Sequence, residues 1–333
     1  MFNKNNLMIK IFESDFDNKE LNAAKAVIKS GWLTNGEVTK NFEKKIESIF
    51  LKQRANVTAV SSCTAALHLA LIDSKIGRGD EVIVPALTFV SDFNVVKAVG
   101  AKPILCDVSS FKEWSPSLKD IKKVVTKKTK ACILVHFAGI PCKDIFKIKK
   151  FCETKKIILI EDVAHAPGAS ISGEPCGSIG DYGTFSFYSN KNFSTGEGGA
   201  ISSKKNSEVL KRIRSHGMTS STLDREKGRV FSYDVSEIGL NYRIDEIRAA
   251  LGIEQINKFK IKNKKRRDIL LAYLDDLPDK IITPHKYAVE SKIINSVDHI
   301  MPILLPSESN KEKVINSLKK QNIQTTMHYP APW

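Results

Sequence analysis

Seven short apolar runs, separated from one another by longer amphipathic segments, dominate the sequence between residues 57 and 203. The runs are continuous rather than alternating, which is typical of strands that are buried on both faces. They lie at 57–60, 81–85, 103–107, 131–136, 157–161, 183–187 and 199–202. Helices are predicted at about 20–30, 38–50, 64–73, 90–99, 116–126, 143–154 and 206–215. This order predicts an α/β fold in which helices cover both faces of a mostly parallel sheet.

The last third of the chain has a different pattern. A continuous helical pattern runs from about residue 244 to 274 and stops at Leu277 and Pro278, because proline breaks a helix. Beyond it come a strand-like run at 299–306, a helix at about 308–321 and the segment NIQTTMHYP. We therefore predict a large domain at 1–245, followed at 246–333 by a connecting helix and a small α+β domain.

Composition narrows the possible classes of protein. The formal net charge of +15 raises the alternative of a nucleic-acid-binding or surface-binding protein. The lysines, however, are spread along amphipathic stretches such as KIKKFCETKK, and no recognition motif accompanies them, so we expect no nucleic-acid partner. No apolar run approaches the roughly 20 residues that cross a bilayer, and we expect a cytoplasmic protein without a membrane partner. The six cysteines lack metal-ligand spacing and are expected to be reduced core thiols, with no metal site.

Two segments in the middle of the chain carry the strongest functional signal. In IILIEDVAHAPGA a buried strand ends near Asp162, which places a carboxylate at the C-terminal edge of the sheet, where open α/β folds bind ligands. A helix N-cap before Ala164 is the structural alternative for this residue. In FSFYSNKNFSTGEGGA, Lys191 follows an apolar strand and precedes a Gly-rich turn. A lysine beside glycines, which let the backbone come close, is what a Schiff-base site requires.

Further candidates follow two earlier strands. In AVSSCTAALHLAL, Ser62, Cys63 and Thr64 open a helix, where free N–H groups and the helix dipole bind anions, although plain N-capping explains the same residues. In VPALTFVSDF, Phe89 lies where an aromatic ring could stack on a planar cofactor, although a lone Phe is more often part of the core. Because every candidate follows a predicted strand, we favour one shared site.

The ordered motifs resemble those of the DegT/DnrJ/EryC1/StrS family of sugar aminotransferases. The resemblance runs through GWLTNGEVTKNFE, GDEVIVPALTF, GAKPILCDV, IEDVAHAPGA, FSFYSNKNFSTGEGGA, RSHGM and GLNYRIDEIRAALGIEQI. It implies the fold of aspartate aminotransferase (fold type I), with a three-layer α/β/α large domain that binds pyridoxal 5'-phosphate (PLP). Family members usually continue beyond the point where this chain ends, so we expect the small C-terminal α+β domain to be incomplete.

The resemblance also implies roles for individual residues. Lys191 would hold the cofactor covalently and serve as the catalytic base, and Asp162 would pair with the pyridine nitrogen. Phe89 would stack on the ring, and His165 would lie near the ring oxygen or be merely a satisfied polar residue. The remaining cofactor contacts of the same subunit, mostly to the phosphate, would come from Ser62, Cys63, Thr64 and Ser186.

A second subunit is implied as well. The resemblance predicts a homodimer with shared active sites, in which Asn241 would reach the phosphate of the neighbouring subunit's cofactor and Arg243 would face that neighbour's substrate. An ordinary helix-start cap and a surface charge are the structural alternatives for these two residues. Cys63 departs from the family, which usually has Gly at this position, and makes the phosphate loop bulkier.

The implied reaction is transamination. An amino acid, glutamate by family analogy, would leave its amino group as pyridoxamine phosphate (PMP), and a nucleotide-linked keto sugar would then accept it. Relatives with His in place of the lysine act as dehydratases, so Lys191 disfavours that branch. The GEGG turn after Lys191 resembles members that aminate carbon 4 of the sugar. Two alternatives remain open: a PLP-binding sugar-nucleotide regulator without transaminase activity, and a polyanion-binding protein on the same fold.

Overall fold

Ten β-strands form two sheets in the computed structural model, which describes residues 8–205 and 207–330. In chain order they are β1 (Asn56–Val60), β2 (Glu81–Pro85), β3 (Lys102–Cys106), β4 (Thr129–Val135), β5 (Ile158–Asp162), β6 (Ser170–Ile171), β7 (Glu174–Pro175), β8 (Tyr182–Ser186), β9 (Gly199–Ser203) and β10 (Ile294–Asn295). The large sheet has the order β1-β9-β8-β5-β4-β2-β3, and the small one β10-β6-β7. In the large sheet β9 runs opposite to the other six strands, which are parallel to one another. The mostly parallel sheet and its seven predicted strands are thereby confirmed.

Helices connect the strands of the large sheet. Those in the described ranges are α1 (Asn18–Ser30), α2 (Glu37–Ile49), α3 (Cys63–Asp73), α4 (Ser91–Ala98), α5 (Leu118–Val124), α6 (Ile145–Lys155), α7 (Glu208–Arg214), α8 (Thr222–Glu226), α9 (Glu246–Asp276), α10 (His285–Glu290) and α11 (Lys311–Lys320), with a 3-10 helix at Phe137–Gly139. The predicted helix 206–215 corresponds to α7, and residue 206 lies outside the described residues. Helices α8 and α10 and the three strands of the small sheet were not predicted. Within the described ranges, no helix combines the length and the apolar character needed to cross a bilayer.

Both faces of the large sheet are buried, as the continuous apolar strands predict. Val82 and Val84 on β2 point to a core shared with α3, α4 and α7, whereas Ile83 between them points to a core shared with α5 and α6. A third core, around Phe42 of α2 and Phe185 of β8, includes the first half of α9. All six cysteines are buried and unpaired, which confirms their prediction as core thiols. The three-layer α/β/α arrangement is therefore confirmed.

The predicted strand at 299–306 is wrong. In this stretch the structure shows irregular backbone with one bridge, from Leu304 to Ile282. Pro302 and Pro306 have no N–H to donate to a neighbouring strand, so an apolar run alone is not enough for a strand here. The start of the segment is held instead by the 3-10 helix, because the His299 N–H donates to the carbonyl of Ala138 at 3.0 Å.

The carboxylate of Glu246, the first residue of α9, caps the N-terminus of α2. The N-cap of α2 is Gly36, which has no side chain to accept the free N–H groups. Glu246 supplies that acceptor: it receives the N–H groups of Gly36, Val38 and Thr39 at 2.8–2.9 Å and the Thr39 hydroxyl at 2.6 Å. The side chain is buried, so these four hydrogen bonds are shielded from water.

The first half of α9 also contacts α1. The ammonium of Lys258 lies 2.7 Å from an oxygen of Asp17 and 2.8 Å from one of Glu20, and these two acidic residues form the capping box of α1. The helix that was predicted as a connector therefore packs along the N-terminal helices for part of its length. The predicted division of the chain after residue 245 stays a prediction.

We expect Glu246→Gln to lower the free energy of unfolding by about 3 kcal/mol, because an amide replaces one acceptor oxygen with a donor that faces buried N–H groups. Glu37→Gln is the matched control: Glu37 pairs with Lys40 on an exposed surface and should change stability by less than about 0.5 kcal/mol. Urea unfolding followed by circular dichroism measures both. Equal effects of the two substitutions would contradict the capping role of Glu246.

Candidate active site

A cleft with a cavity of about 320 Å³ lies at the carboxyl ends of β1, β2, β5 and β8. Eight of the ten residues predicted for the site line it: Ser62, Cys63, Thr64, Phe89, Asp162, His165, Ser186 and Lys191. They come from four separate stretches of the chain. The parallel strands bring them together because their carboxyl ends share one edge of the sheet.

Lys191 lies in the turn between β8 and β9. Its backbone N–H donates to the carbonyl of Tyr188 at 2.9 Å, which fixes the turn that carries the side chain. Burial lowers the pKa of the Lys191 ammonium, and the negative charge of Asp162 works against that shift. A lysine with a lowered pKa has a larger fraction of neutral, nucleophilic amine near neutral pH.

Asp162 is the last residue of β5 and is 4% exposed. Its Oδ1 accepts the N–H of Ala164 at 2.8 Å and lies 3.8 Å from the Sγ of Cys63. The residues that follow form turns rather than a helix, so the alternative of a helix N-cap does not hold. Burial raises the pKa of Asp162, whereas the Ala164 N–H and the charge of Lys191 oppose this rise. The nearby cation therefore helps to keep this buried carboxyl ionised.

The start of α3 offers donors for an anion. Ser62 is the N-cap, and its hydroxyl oxygen accepts the N–H of Ala65 at 3.1 Å, so the capping alternative is correct for this side chain. The N–H groups of Cys63 and Thr64, in the first turn, have no partner within the helix and add to the positive end of its dipole. Gly199 of β9 passes so close that a Cβ there would lie 2.4 Å from the carbonyl carbon of Ser62. Only glycine lets the strand approach this turn.

Three other predicted residues complete the cleft walls. The ring of Phe89 is 52% exposed, so it is not a core residue. His165 is buried: its Nδ1 accepts the N–H of Ala138 at 3.3 Å, its Nε2 lies 2.8 Å from the hydroxyl of Tyr329, and burial lowers its pKa far below the usual value. The Ser186 hydroxyl accepts the N–H of Tyr188 at 3.4 Å, a backbone contact that leaves its proton available.

Asn241 and Arg243 lie outside this cavity. Asn241 is exposed and forms a backbone bridge with Ser215, and Arg243 forms one with Val60. The Nη1 of Arg243 is buried without a hydrogen-bond partner among the described residues, and burial together with the charge of Arg214 lowers the pKa of its guanidinium. The single chain therefore does not bring these two residues to Lys191.

Several residues of the cleft were not predicted. His328 and Tyr329 line it from the C-terminal segment, and His299 packs behind His165, with the ring centroids 4.4 Å apart and the ring planes tilted by 42°. The Nδ1 of His299 lies 2.7 Å from the amide oxygen of Asn192, and burial lowers the pKa of His299 well below the usual value. The residues His328, Tyr329 and Pro330 show no periodicity or motif spacing in the sequence, so nothing there predicted a place in the cleft.

Asp92 is a second buried acidic residue beside the cleft. It lies on α4, three residues after Phe89, and is fully buried. Thr88 donates its hydroxyl to Asp92 Oδ2 at 2.5 Å. The sequence did show an aspartate in TFVSDF, but an acidic residue in the first turn of a helix is usually explained by the helix dipole.

Glu161 forms a separate buried network with His136 and Cys176. Its carboxylate accepts the N–H groups of Gly177, Ile179 and Gly180 at 2.6–2.9 Å. His136 Nδ1 accepts the backbone N–H of Cys142 at 3.1 Å, so its Nε2 carries the proton and donates to Glu161 at 2.9 Å. The carboxylate lone pairs that a metal ion would need are thus engaged in hydrogen bonds.

Comparisons with known proteins give the following matches. The model of the DegT/DnrJ/EryC1/StrS aminotransferase family matches residues 14–333. The uncharacterised protein MJ1066 of Methanocaldococcus jannaschii is 34% identical over 319 residues, which are 93% of this chain and 81% of that protein. The GDP-perosamine synthase of Escherichia coli O157:H7 is 33% identical over 326 residues, 97% of this chain and 85% of the enzyme.

The fold matches solved structures as well. Spr1654 of Streptococcus pneumoniae, assigned as a sugar aminotransferase, superimposes in its PMP form with a TM-score of 0.88 at 28% identity, over 97% of this chain and 86% of that one. Its PLP form gives a TM-score of 0.87 at 27% identity, over 98% and 86% of the two chains.

We expect the free energy of unfolding to fall as the pH drops below about 6.5, because His299 stays neutral in the folded chain while an unfolded histidine takes up a proton. His299→Gln should make this dependence shallower by up to about 1.4 kcal/mol per pH unit. His216→Asn is the control, because His216 is exposed and its positive φ suits asparagine. Urea titrations at several pH values between 5 and 7.5 test this, and an unchanged slope in His299→Gln would refute it.

Proposed function

We propose a reaction for this chain on the premise that it belongs to the DegT/DnrJ/EryC1/StrS aminotransferase family. It is a PLP-dependent sugar aminotransferase. We propose that it moves the amino group of glutamate to a nucleotide-linked keto sugar. The observation that carries this proposal is the pairing of Lys191 with Asp162 in one cleft beside the start of α3.

The residues of the cleft fit the cofactor by their chemistry. Lys191 offers an amine for the aldehyde, and Asp162 offers a buried carboxylate for the ring nitrogen. The first turn of α3 offers N–H groups for the phosphate, at a place where Gly199 leaves room for close packing. Phe89, half exposed at the cleft wall, offers a face for a planar ring.

The chain's own groups then have defined tasks. Bound PLP supplies an electron sink next to the amino nitrogen. Asp162 holds a proton on the ring nitrogen by electrostatic attraction, and the Ala164 N–H keeps that carboxylate in place. Lys191 Nζ, whose pKa is lowered by burial, would take the proton from the substrate carbon and deliver it to the cofactor carbon that binds the amino nitrogen.

The proposed substrates rest on the relatives. GDP-perosamine synthase is named for a sugar attached to a nucleotide, which supports an acceptor of that class. Glutamate as the donor rests on the resemblance to the family. The net charge of +15 is consistent with substrates that carry phosphate groups, because a positive field raises their local concentration.

A shared site in a homodimer is also proposed. Asn241 and Arg243 lie away from Lys191 in one chain, so they would serve a second chain's cleft. The exposed apolar residues Val230, Phe231, Tyr233, Val235 and Ile238 lie just before them and would be covered by such a contact.

We expect Lys191→Ala to abolish covalent attachment of PLP and to reduce transamination by at least about 1,000-fold, because both the attachment point and the base are lost. Borohydride treatment followed by mass spectrometry of the peptides detects the attachment, and 2-oxoglutarate release from glutamate measures the activity. Lys40→Ala, on an exposed helix surface, should behave like the wild type. Attachment that persists in Lys191→Ala would exclude the assigned role.

We expect inactive Lys191→Ala and Arg243→Ala chains to restore activity when they are refolded together. One of the two sites in a mixed dimer would then contain both intact residues, which gives about a quarter of wild-type activity for random pairing. Mixing Lys191→Ala with Asp162→Ala is the control, because both residues belong to the same chain's cleft and no intact site can form. Equal results for the two mixtures would contradict the shared site.

A further inference from the structure

The side chain of Asp92 has an unsatisfied oxygen. Its Oδ2 accepts the Thr88 hydroxyl, but its Oδ1 has no donor among the described residues, and the whole residue is fully buried. Besides Thr88, the side chain within reach of a hydrogen bond from Asp92 is the carboxyl of Asp162. Two carboxylates cannot hydrogen-bond to each other, because both are acceptors only, so a hydrogen bond between this pair requires one of them to carry a proton.

The surroundings decide which carboxyl carries it. Asp162 interacts with the positive charge of Lys191 and accepts the N–H of Ala164, and both favour its ionised form. Asp92 has the Thr88 hydroxyl as its favourable partner and otherwise faces burial and the charge of Asp162, which raise its pKa well above the usual value. Among the described residues, the other titratable groups that interact with Asp92 are the thiol of Cys63 and the phenol of Tyr329, and neither supplies a cation.

We propose that Asp92 is a protonated positioning residue that donates a hydrogen bond to Asp162 and thereby keeps the single negative charge of the pair on Asp162. The proposal rests on the proposed function, in which Asp162 faces the ring nitrogen of PLP. A hydrogen bond to the ionised form of a carboxyl favours that form. The hydrogen bond from Asp92 thus offsets part of the effect by which burial favours the protonated form of Asp162, and it adds no second charge to the cleft.

Infrared spectroscopy of the cofactor-free protein tests the protonation directly. A protonated carboxyl has a C=O stretch at higher frequency than a carboxylate, so the wild type minus Asp92→Asn difference spectrum should contain that band. Asp120→Asn is the matched control: Lys123 lowers the pKa of Asp120, and its removal should affect only carboxylate bands. A difference spectrum for Asp92→Asn that shows the loss of a carboxylate band instead would overturn the proposal.

Steady-state kinetics test the role in positioning. Asp92→Asn keeps a neutral donor toward Asp162 and an acceptor for Thr88, so its kcat should stay within about threefold of the wild type. Asp92→Ala removes the donor, and its kcat should fall by about 10- to 100-fold, because a buried charge loses a hydrogen bond. The acidic limb of its kcat–pH profile should also move to higher pH, because Asp162 becomes easier to protonate, whereas Asp92→Asn should leave that limb unchanged.

The outcomes separate the two proposals. If Asp92→Asn is as impaired as Asp92→Ala, or if the pH profile of Asp92→Ala does not move, Asp92 does not act by donating to Asp162. If the infrared band is found but wild-type protein releases no 2-oxoglutarate from glutamate, the protonated pair stands and the proposed donor is wrong. Should Asp92→Ala fail to fold, the near-isosteric Asp92→Asn and its difference spectrum still decide the protonation state.

Discussion

The buried carboxylate of Glu161 fixes the end of β5, and the geometry of the cleft depends on it. Adjacent residues of a strand point to opposite faces of the sheet, so Glu161 points away from the cleft while Asp162 points into it. Three backbone N–H groups and His136 hold Glu161 in place. A charge that is satisfied in this way is costly to displace, because each donor would be left buried and unpaired. Because Asp162 follows Glu161 directly on β5, its position is restrained as well.

The cleft combines a few ionised groups with several neutral ones. Burial lowers the pKa values of His165, His299 and Lys191 and raises that of Asp162, because a low-dielectric environment disfavours every charged form. The attraction between Lys191 and Asp162 partly opposes both of their shifts. A site built this way contains one carboxylate that faces a cation, surrounded by histidine rings that stay neutral. A group bound between Asp162 and Lys191 therefore experiences mainly the charges of these two residues, because the surrounding histidines are neutral.

The sequence predicted most of the large sheet and most of the cleft, because both depend on local signals. Asp162 and Lys191 stand out since each follows an apolar strand, and strand ends meet at one edge of a parallel sheet. His299 and Tyr329 gave no comparable signal, because they reach the cleft through long-range contacts with Asn192 and His165. The failed strand at 299–306 has the same origin: Ile300 packs against the 3-10 helix, whereas Ile303 and Leu304 are exposed, so the run is not buried in a sheet.

The long helix α9 links the cleft wall to the N-terminal helices. At 1.5 Å per residue its 31 residues extend about 46 Å. About two-thirds along the helix, Arg267 lies 2.8 Å from Asp298 and donates to the carbonyl of Ser296, close to His299, which packs behind His165 in the wall of the cleft. Because Asn192 holds His299 from the other side, this wall is clamped between a rigid rod and the turn that carries Lys191. Widening the cleft at this wall would therefore break either the Arg267 contacts with α9 or the contact between Asn192 and His299, because residues 296–299 are bonded on both sides.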